Sequence, residues 1–113
     1  MGLRVAIVGG CASGKSSLSH ALRARGVDAW PVAQEHSVIP ELWRHLQPDR
    51  LVLLEARLDS VRRRRNDAAW PRWIWEVQQL RIDHARRNAD VIIRTDDLSP
   101  EEIERRVMQG LGL

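Results

Sequence analysis

With 113 residues, 43% of them hydrophobic and 29% charged, the chain has the makeup of one globular domain with one core, too short for two and too apolar for disorder. No apolar run approaches the roughly 20 residues of a membrane-spanning helix, so a membrane partner is not expected. The net charge is only +3, yet the isoelectric point is near 10.3, because all but one of the 18 Lys and Arg residues are arginine. Arginine grips phosphate with a planar fork and keeps its proton, so the bias favours phosphorylated partners over a merely basic surface.

The stretch Leu3 to Ser16 reads LRVAIVGGCASGKS. Val5 to Val8 is an apolar, β-branched-rich run suited to a strand buried on both faces, and it stops at a glycine pair. Gly9, Gly14, Lys15 and Ser16 then fit G-x-x-x-x-G-K-[ST], with helix expected to follow through Ala24. Glycines let successive backbone N–H groups converge on one point, and the new helix aims its unpaired N–H groups and positive dipole end there as well. Such a loop cradles phosphate. Its contacts are expected from Gly9, Cys11, Ala12, Ser13, Gly14, Lys15, Ser16 and Ser17. Lys15, the only lysine in the chain, would reach the β- and γ-phosphates of a nucleoside triphosphate, and the Ser16 hydroxyl would ligate Mg²⁺.

The apolar segment after Met1 is too short for a signal peptide. A single cysteine, Cys11, allows no internal disulfide and suits a reducing cytoplasm. Within the loop it is either a small residue at a variable position or a redox-sensitive thiol.

Further along, Gly26 reads as a left-handed helix stop. A second strand is expected within Val27 to Ala33, at the sheet edge because Pro31 removes a ladder donor. Gln34, Glu35 and His36 end it. A short helix is expected over Pro40 to Leu46, closed by Pro48. Leu51 to Leu54 is a buried strand ending on Glu55. Asp59 is the expected cap of a helix through Arg62 to Arg65, broken at Asn66 to Ala69. Pro71 opens a long helix to about Asn88, with Trp73, Val77, Leu80 and His84 at the spacing of one face. Val91 to Arg94 is the fourth strand. Ser99, Pro100 and Glu102 form a capping box for a last helix to about Met108. Strands alternating with helices predict an α/β fold, a three-layer sandwich around a short, mostly parallel sheet of about four strands.

GGCASGKSS after an apolar strand resembles the P-loop kinases of nucleotides and small metabolites. PDRLVLLEARLDSVRRRR, residues 48 to 65, looks like their strand and arginine-bearing lid helix. NADVIIRTDDLSPEEIERRV, residues 88 to 107, is similar to their last strand and helix. The resemblance implies a minimal P-loop NTPase fold, ATP or another nucleoside triphosphate as substrate, Mg²⁺, and transfer of the γ-phosphoryl group to a small acceptor. By the same resemblance a carboxylate near the loop assists the metal, with Glu35 the first candidate, Glu55 its competitor, and Asp96 and Asp97 behind both. The chain departs from that family in having no acceptor-binding insert and no Walker-B aspartate.

At most two of the four consecutive arginines can face one site, since neighbours on a helix point about 100° apart. Arg62 and Arg65 share a face and are the expected clamp on the transferring phosphoryl group, with Arg57 a third candidate; a solvated charged face is the plain alternative. The chain has no Phe and no Tyr, so Trp70, Trp73 and Trp75 are read first as core and second as platforms for a base or nucleic acid. His36 lies near the expected acceptor; His20, His45 and His84 read as structural. No His/Cys group has metal-ligand spacing along the sequence. A nucleotide-binding module or slow NTPase remains the alternative to a kinase. A nucleic-acid partner is a third, and an exposed sheet edge leaves room for a homodimer.

Overall fold

The computed structural model describes residues 2–113 and contains strands β1 (Arg4–Gly9), β2 (Asp28–Pro31), β3 (Arg50–Glu55) and β4 (Val91–Arg94). They form one sheet in the order β2-β1-β3-β4, with all three pairings parallel. β1 and β3 are central and apolar on both faces; Val5 to Val8 and Leu51 to Leu54 are buried throughout. β2 is an edge strand, as its proline requires, and Pro31 is its last residue, opposite Ile7.

The helices are α1 (Lys15–Ala24), α2 (Leu58–Arg65), α3 (Arg72–Arg81), α4 (Asp83–Asn88) and α5 (Pro100–Gly110). Alternate strand residues send their side chains to opposite faces. Val5, Ile7, Val52 and Leu54 pack with Leu18 and Leu22 of α1 and Ile103 and Val107 of α5. Ala6, Val8, Leu51 and Leu53 pack with Trp43, Ile82 and Ala85 on the other side. Both faces are therefore covered, and the layers number three. A smaller cluster of Leu58, Val61 and Trp70 joins α2 to the Gly9–Ser16 loop through Cys11 and Ala12.

Local signals explain most boundaries. α1 ends in a Schellman arrangement: Gly26, at φ 85°, donates to the Arg23 carbonyl and Val27 to that of Leu22. At α5, the Ser99 hydroxyl accepts from the Glu102 N–H at 3.1 Å, while the Glu102 carboxylate accepts from the Ser99 N–H at 3.3 Å.

Four expectations need correction. The segment expected as a helix over Pro40 to Leu46 is a 3₁₀ turn at Leu42–Leu46. Asp59 lies in the first turn of α2 and does not cap it; the N-cap residue is Arg57, whose own N–H donates at 2.8 Å to Asp96 Oδ1 in the turn after the neighbouring strand β4. The long helix is divided at Ile82, whose φ of −96° and ψ of 0° separate α3 from α4. The face proposed for it is not the buried one. Trp73 and Leu80 are 65% and 77% exposed, and α3 buries Gln78. A polar group inside is stable here because the glutamine finds partners on the loop, described below.

Candidate functional site

The Gly9–Ser16 loop leaves the carboxyl end of β1, at the sheet edge where parallel α/β folds form their ligand crevices. Ala12, at φ 58°, and Gly14, at φ 99°, turn the chain into α1. Gly14 is the N-cap of α1 and carries no side chain to satisfy its first-turn N–H groups, so the positive helix end stays open. Gly9 is required for a different reason: a Cβ there would stand 2.5 Å from Ser13 Oγ and 2.6 Å from the Leu54 carbonyl oxygen. Ser13 Oγ is buried and has no hydrogen-bond partner among the described residues.

The Lys15 ammonium folds back over the loop, donating to the carbonyls of Gly9 at 2.9 Å and Gly10 at 3.1 Å, and to Glu35 Oε2. Glu35 reaches it from a 3₁₀ turn, Gln34–His36, that follows β2. Gln34 braces that turn: its amide nitrogen donates to Ile39 O and Arg81 O, and its amide oxygen accepts from the Trp43 N–H. Arg81 also donates to the Glu35 carbonyl at 3.3 Å. Glu35 is 3% exposed, and its second oxygen, Oε1, has no partner among the described residues.

The competing carboxylates are engaged elsewhere. Glu55 accepts from Arg86 Nε at 2.8 Å and lies 3.8 Å from Arg94 Nε. Asp96 accepts from the Ser60 hydroxyl at 2.6 Å and from Arg57. Burial pushes the Asp96 pKa up, but the Ser60 and Arg57 hydrogen bonds and the Arg57 and Arg64 charges outweigh it, so the net shift is down. Asp97 is exposed in the same turn.

Arg62 and Arg65 do share a face, and what they share is Trp70. Arg62 Nε donates to its carbonyl at 2.9 Å, and the Arg65 guanidinium lies 5.1 Å from its ring centroid. Arg64 is the one that reaches the loop. Its guanidinium donates to Ala12 O at 2.9 Å, Thr95 Oγ1 at 3.0 Å and Thr95 O at 2.6 Å, tying loop, α2 and the end of β4 together. Arg57 faces Asp59, and both are well exposed.

Two cavities flank the loop. One, of about 340 Å³, lies on the α1/α5 side and is lined by Ala12, Gly14, Ser17, Arg64, Leu98 and Ile103. The other, of about 420 Å³, lies on the α3 side and is lined by Cys11, His36, Arg65, Trp70, Trp73 and Arg81. The neighbours Arg64 and Arg65 thus enter opposite cavities. Between them, Gln78 clasps Cys11: its amide oxygen accepts the Cys11 N–H, and its amide nitrogen donates to Cys11 Sγ, each at 3.0 Å.

Of the three tryptophans, Trp70 is core, Trp75 is half-buried with its indole N–H donating to Ala56 O at 3.1 Å, and Trp73 is exposed. His84 accepts from the Trp43 indole at 3.1 Å in a structural role. Gln34, Arg64, Gln78 and Arg81 were not singled out by sequence reasoning. Arg64 carried a partial signal as one of four arginines; the two glutamines carried none, because a polar residue on an apolar helix or strand end reads as surface until its partners are known. No family model matches the chain, and no curated protein matches its sequence.

Proposed function

We propose that this chain is a P-loop kinase-like protein that binds a nucleoside triphosphate, ATP in the first instance, and passes its γ-phosphoryl group to a small acceptor. One observation carries this reading: a G-x-x-x-x-G-K-S loop joins a buried parallel strand to an uncapped helix start, with the chain's one lysine ammonium folded over the loop. The residues fit the implied groups. Ser16 and Glu35 are oxygen ligands suited to a hard cation such as Mg²⁺, and Glu35 Oε1 is a buried carboxylate oxygen without a partner among the described residues.

Mg-ATP, when bound, supplies the transferable phosphoryl group and part of the charge that offsets it. The chain does the rest by position and charge. Lys15 exchanges its carbonyl and Glu35 partners for phosphate oxygens. The first-turn N–H groups of α1 donate to the same anion. The cavity on the α1/α5 side is of a size and polarity for the nucleoside, with Leu98 and Ile103 as apolar walls. The cavity on the α3 side would take the acceptor, whose oxygen forms a bond to the γ-phosphorus as the bridge to the β-phosphate breaks; His36 lines it and can accept the acceptor's proton. Arg65 enters that cavity and Arg62 braces Trp70 beside it, a setting for a clamp that neutralises charge during transfer.

A second reading is a nucleotide-binding module or slow NTPase. It is favoured by the carboxylates: Glu55 and Asp96 are held by arginines and Ser60, leaving Glu35 as the carboxylate paired with Lys15. The deciding experiment measures ADP release from ATP with and without a panel of small hydroxyl and phosphate acceptors. Acceptor-dependent release supports the kinase; tight ATP binding without turnover supports the module. Absence of nucleotide binding would overturn both.

A further inference from the structure

We propose that Cys11, Glu35 and His36 form a binding site for a thiophilic divalent cation of the Zn²⁺ type in the protein without nucleotide, sharing Glu35 and His36 with the proposed phosphoryl-transfer site, so that zinc and Mg-nucleotide compete for them. The three residues are far apart in chemistry and have no metal-ligand spacing along the chain. Yet Cys11 Sγ, a Glu35 carboxylate oxygen and a His36 imidazole nitrogen all lie within 4.8 Å of one another. The fold achieves this by bringing the turn after β2 against the loop after β1, two adjacent parallel strands.

The carboxylate has capacity for a cation: His36 faces Oε2, which Lys15 shares, while the other oxygen is free among the described residues. Glu35 is 3% exposed, Lys15 occupies only Oε2, and Oε1 has no partner among the described residues. A buried anionic oxygen without a donor is costly, and a cation beside it removes that cost. His36 is 61% exposed on its side chain, with Nε2 3.9 Å from Glu35 Oε2. In a tetrahedral zinc site neighbouring ligand atoms stand roughly 3.3–3.6 Å apart, as follows from the Zn–S and Zn–N bond lengths. From separations of up to 4.8 Å the contraction needed is at most about 1.5 Å; rotation of the exposed imidazole closes the His36 distances, and a change of the Cys11 or Glu35 rotamer closes the distance between sulfur and carboxylate. The α3-side cavity, which Cys11 and His36 line, leaves space for a water as fourth ligand.

The surroundings resemble the outer shell of a built site. Gln78, 4% exposed, holds the Cys11 backbone and donates to its sulfur, while Arg81 holds the Glu35 carbonyl. Sulfur and imidazole select zinc-like ions over Mg²⁺, which wants six oxygens. Binding replaces the thiol proton of Cys11 by the metal and releases that proton to solvent. The positive charges of Lys15, Arg65 and Arg81 nearby oppose the cation; the thiolate offsets one of its charges, and the Glu35 carboxylate offsets the second when Lys15 turns from Oε2 to the loop carbonyls of Gly9 and Gly10.

The test uses the whole chain without nucleotide, so it is independent of the proposed enzymatic activity. Zinc is titrated against a chromogenic chelator, and Co²⁺ is added separately to record its absorption spectrum. Expected are one equivalent of bound zinc, a thiolate-to-cobalt charge-transfer band in the near ultraviolet, and affinity reduced about tenfold or more in Cys11→Ser and in His36→Ala but unchanged in the control His45→Ala. Cobalt bound without the charge-transfer band would overturn the site on the unmodified protein, whatever the variants do. So would equal zinc affinity in Cys11→Ser, or equal losses in His36→Ala and His45→Ala.

Discussion

The ammonium of Lys15 and the carboxylate of Glu35 form an ion pair across the crevice between β1 and β2, with side-chain exposures of only 13% and 3%. Removing one partner strands the other in a poorly hydrated place, which costs more than the pair itself is worth. Lys15→Ala and Glu35→Gln should each lower unfolding free energy by on the order of 1–3 kcal/mol, and the double variant should lose clearly less than their sum. Additive losses in denaturant titrations would mean that the two groups do not interact in solution.

The same pair controls ligand binding under the proposed function. Lys15→Ala should abolish ATP binding while circular dichroism remains that of the folded protein; unchanged affinity would refute the phosphate cradle. Glu35→Gln should weaken Mg²⁺-dependent binding more than Glu55→Gln, because Glu55 is already committed to Arg86 at 2.8 Å. The reverse order in calorimetry would transfer the metal carboxylate to Glu55.

Gly9 is sterically required. In Gly9→Ala the methyl group would meet Ser13 Oγ at 2.5 Å and the backbone oxygen of Leu54 at 2.6 Å. The serine can rotate, but a strand carbonyl cannot move without disturbing β3. A loss of about 1–3 kcal/mol is expected, read as a lower denaturation midpoint; a midpoint within error of the parent would contradict the described packing.

Arg64 should prove to be the arginine that shapes the loop. Arg64→Ala removes three hydrogen bonds, to Ala12 O and to both oxygens of Thr95, and should speed amide exchange in the Gly9–Ser16 loop and weaken nucleotide binding at least several-fold. Arg63→Ala, whose contacts to Ser60 and Asp96 are both 3.5 Å, should do neither. Equal effects from the two would remove Arg64 from this role.

Acid should destabilise the helix starts. Glu102, receiving the Ser99 N–H, has a pKa below the ordinary 4.5, and Asp96, receiving Ser60 and Arg57, one below the ordinary 3.8. A carboxyl whose folded pKa is depressed contributes its stability in full above the unfolded value and loses it as pH falls through the folded one. Stability should therefore be level down to about pH 5 and decline below pH 4.5. In Asp96→Asn and Glu102→Gln the decline should be shallower; an identical acid limb in both would show that these groups do not drive it.

Sequence alone determined the order of the four strands, the parallel sheet buried on both faces and the loop–helix junction, because continuous apolar runs, a G-x-x-x-x-G-K-S spacing and a Ser-Pro-Glu-Glu capping pattern act through neighbours within a few residues. It could also place Pro31 on an edge strand, since a missing N–H is a property of the residue itself. Everything that depended on distant segments meeting was decided only by tertiary structure. Lys15 meeting Glu35, Gln78 clasping Cys11, Asp96 holding the Arg57 N–H at the start of α2, and Arg64 rather than Arg62 or Arg65 reaching the loop all depend on strand order and helix rotation. A side chain's direction about a helix is legible locally, but what it faces is set by the packing of other layers, and no short-range pattern encodes that.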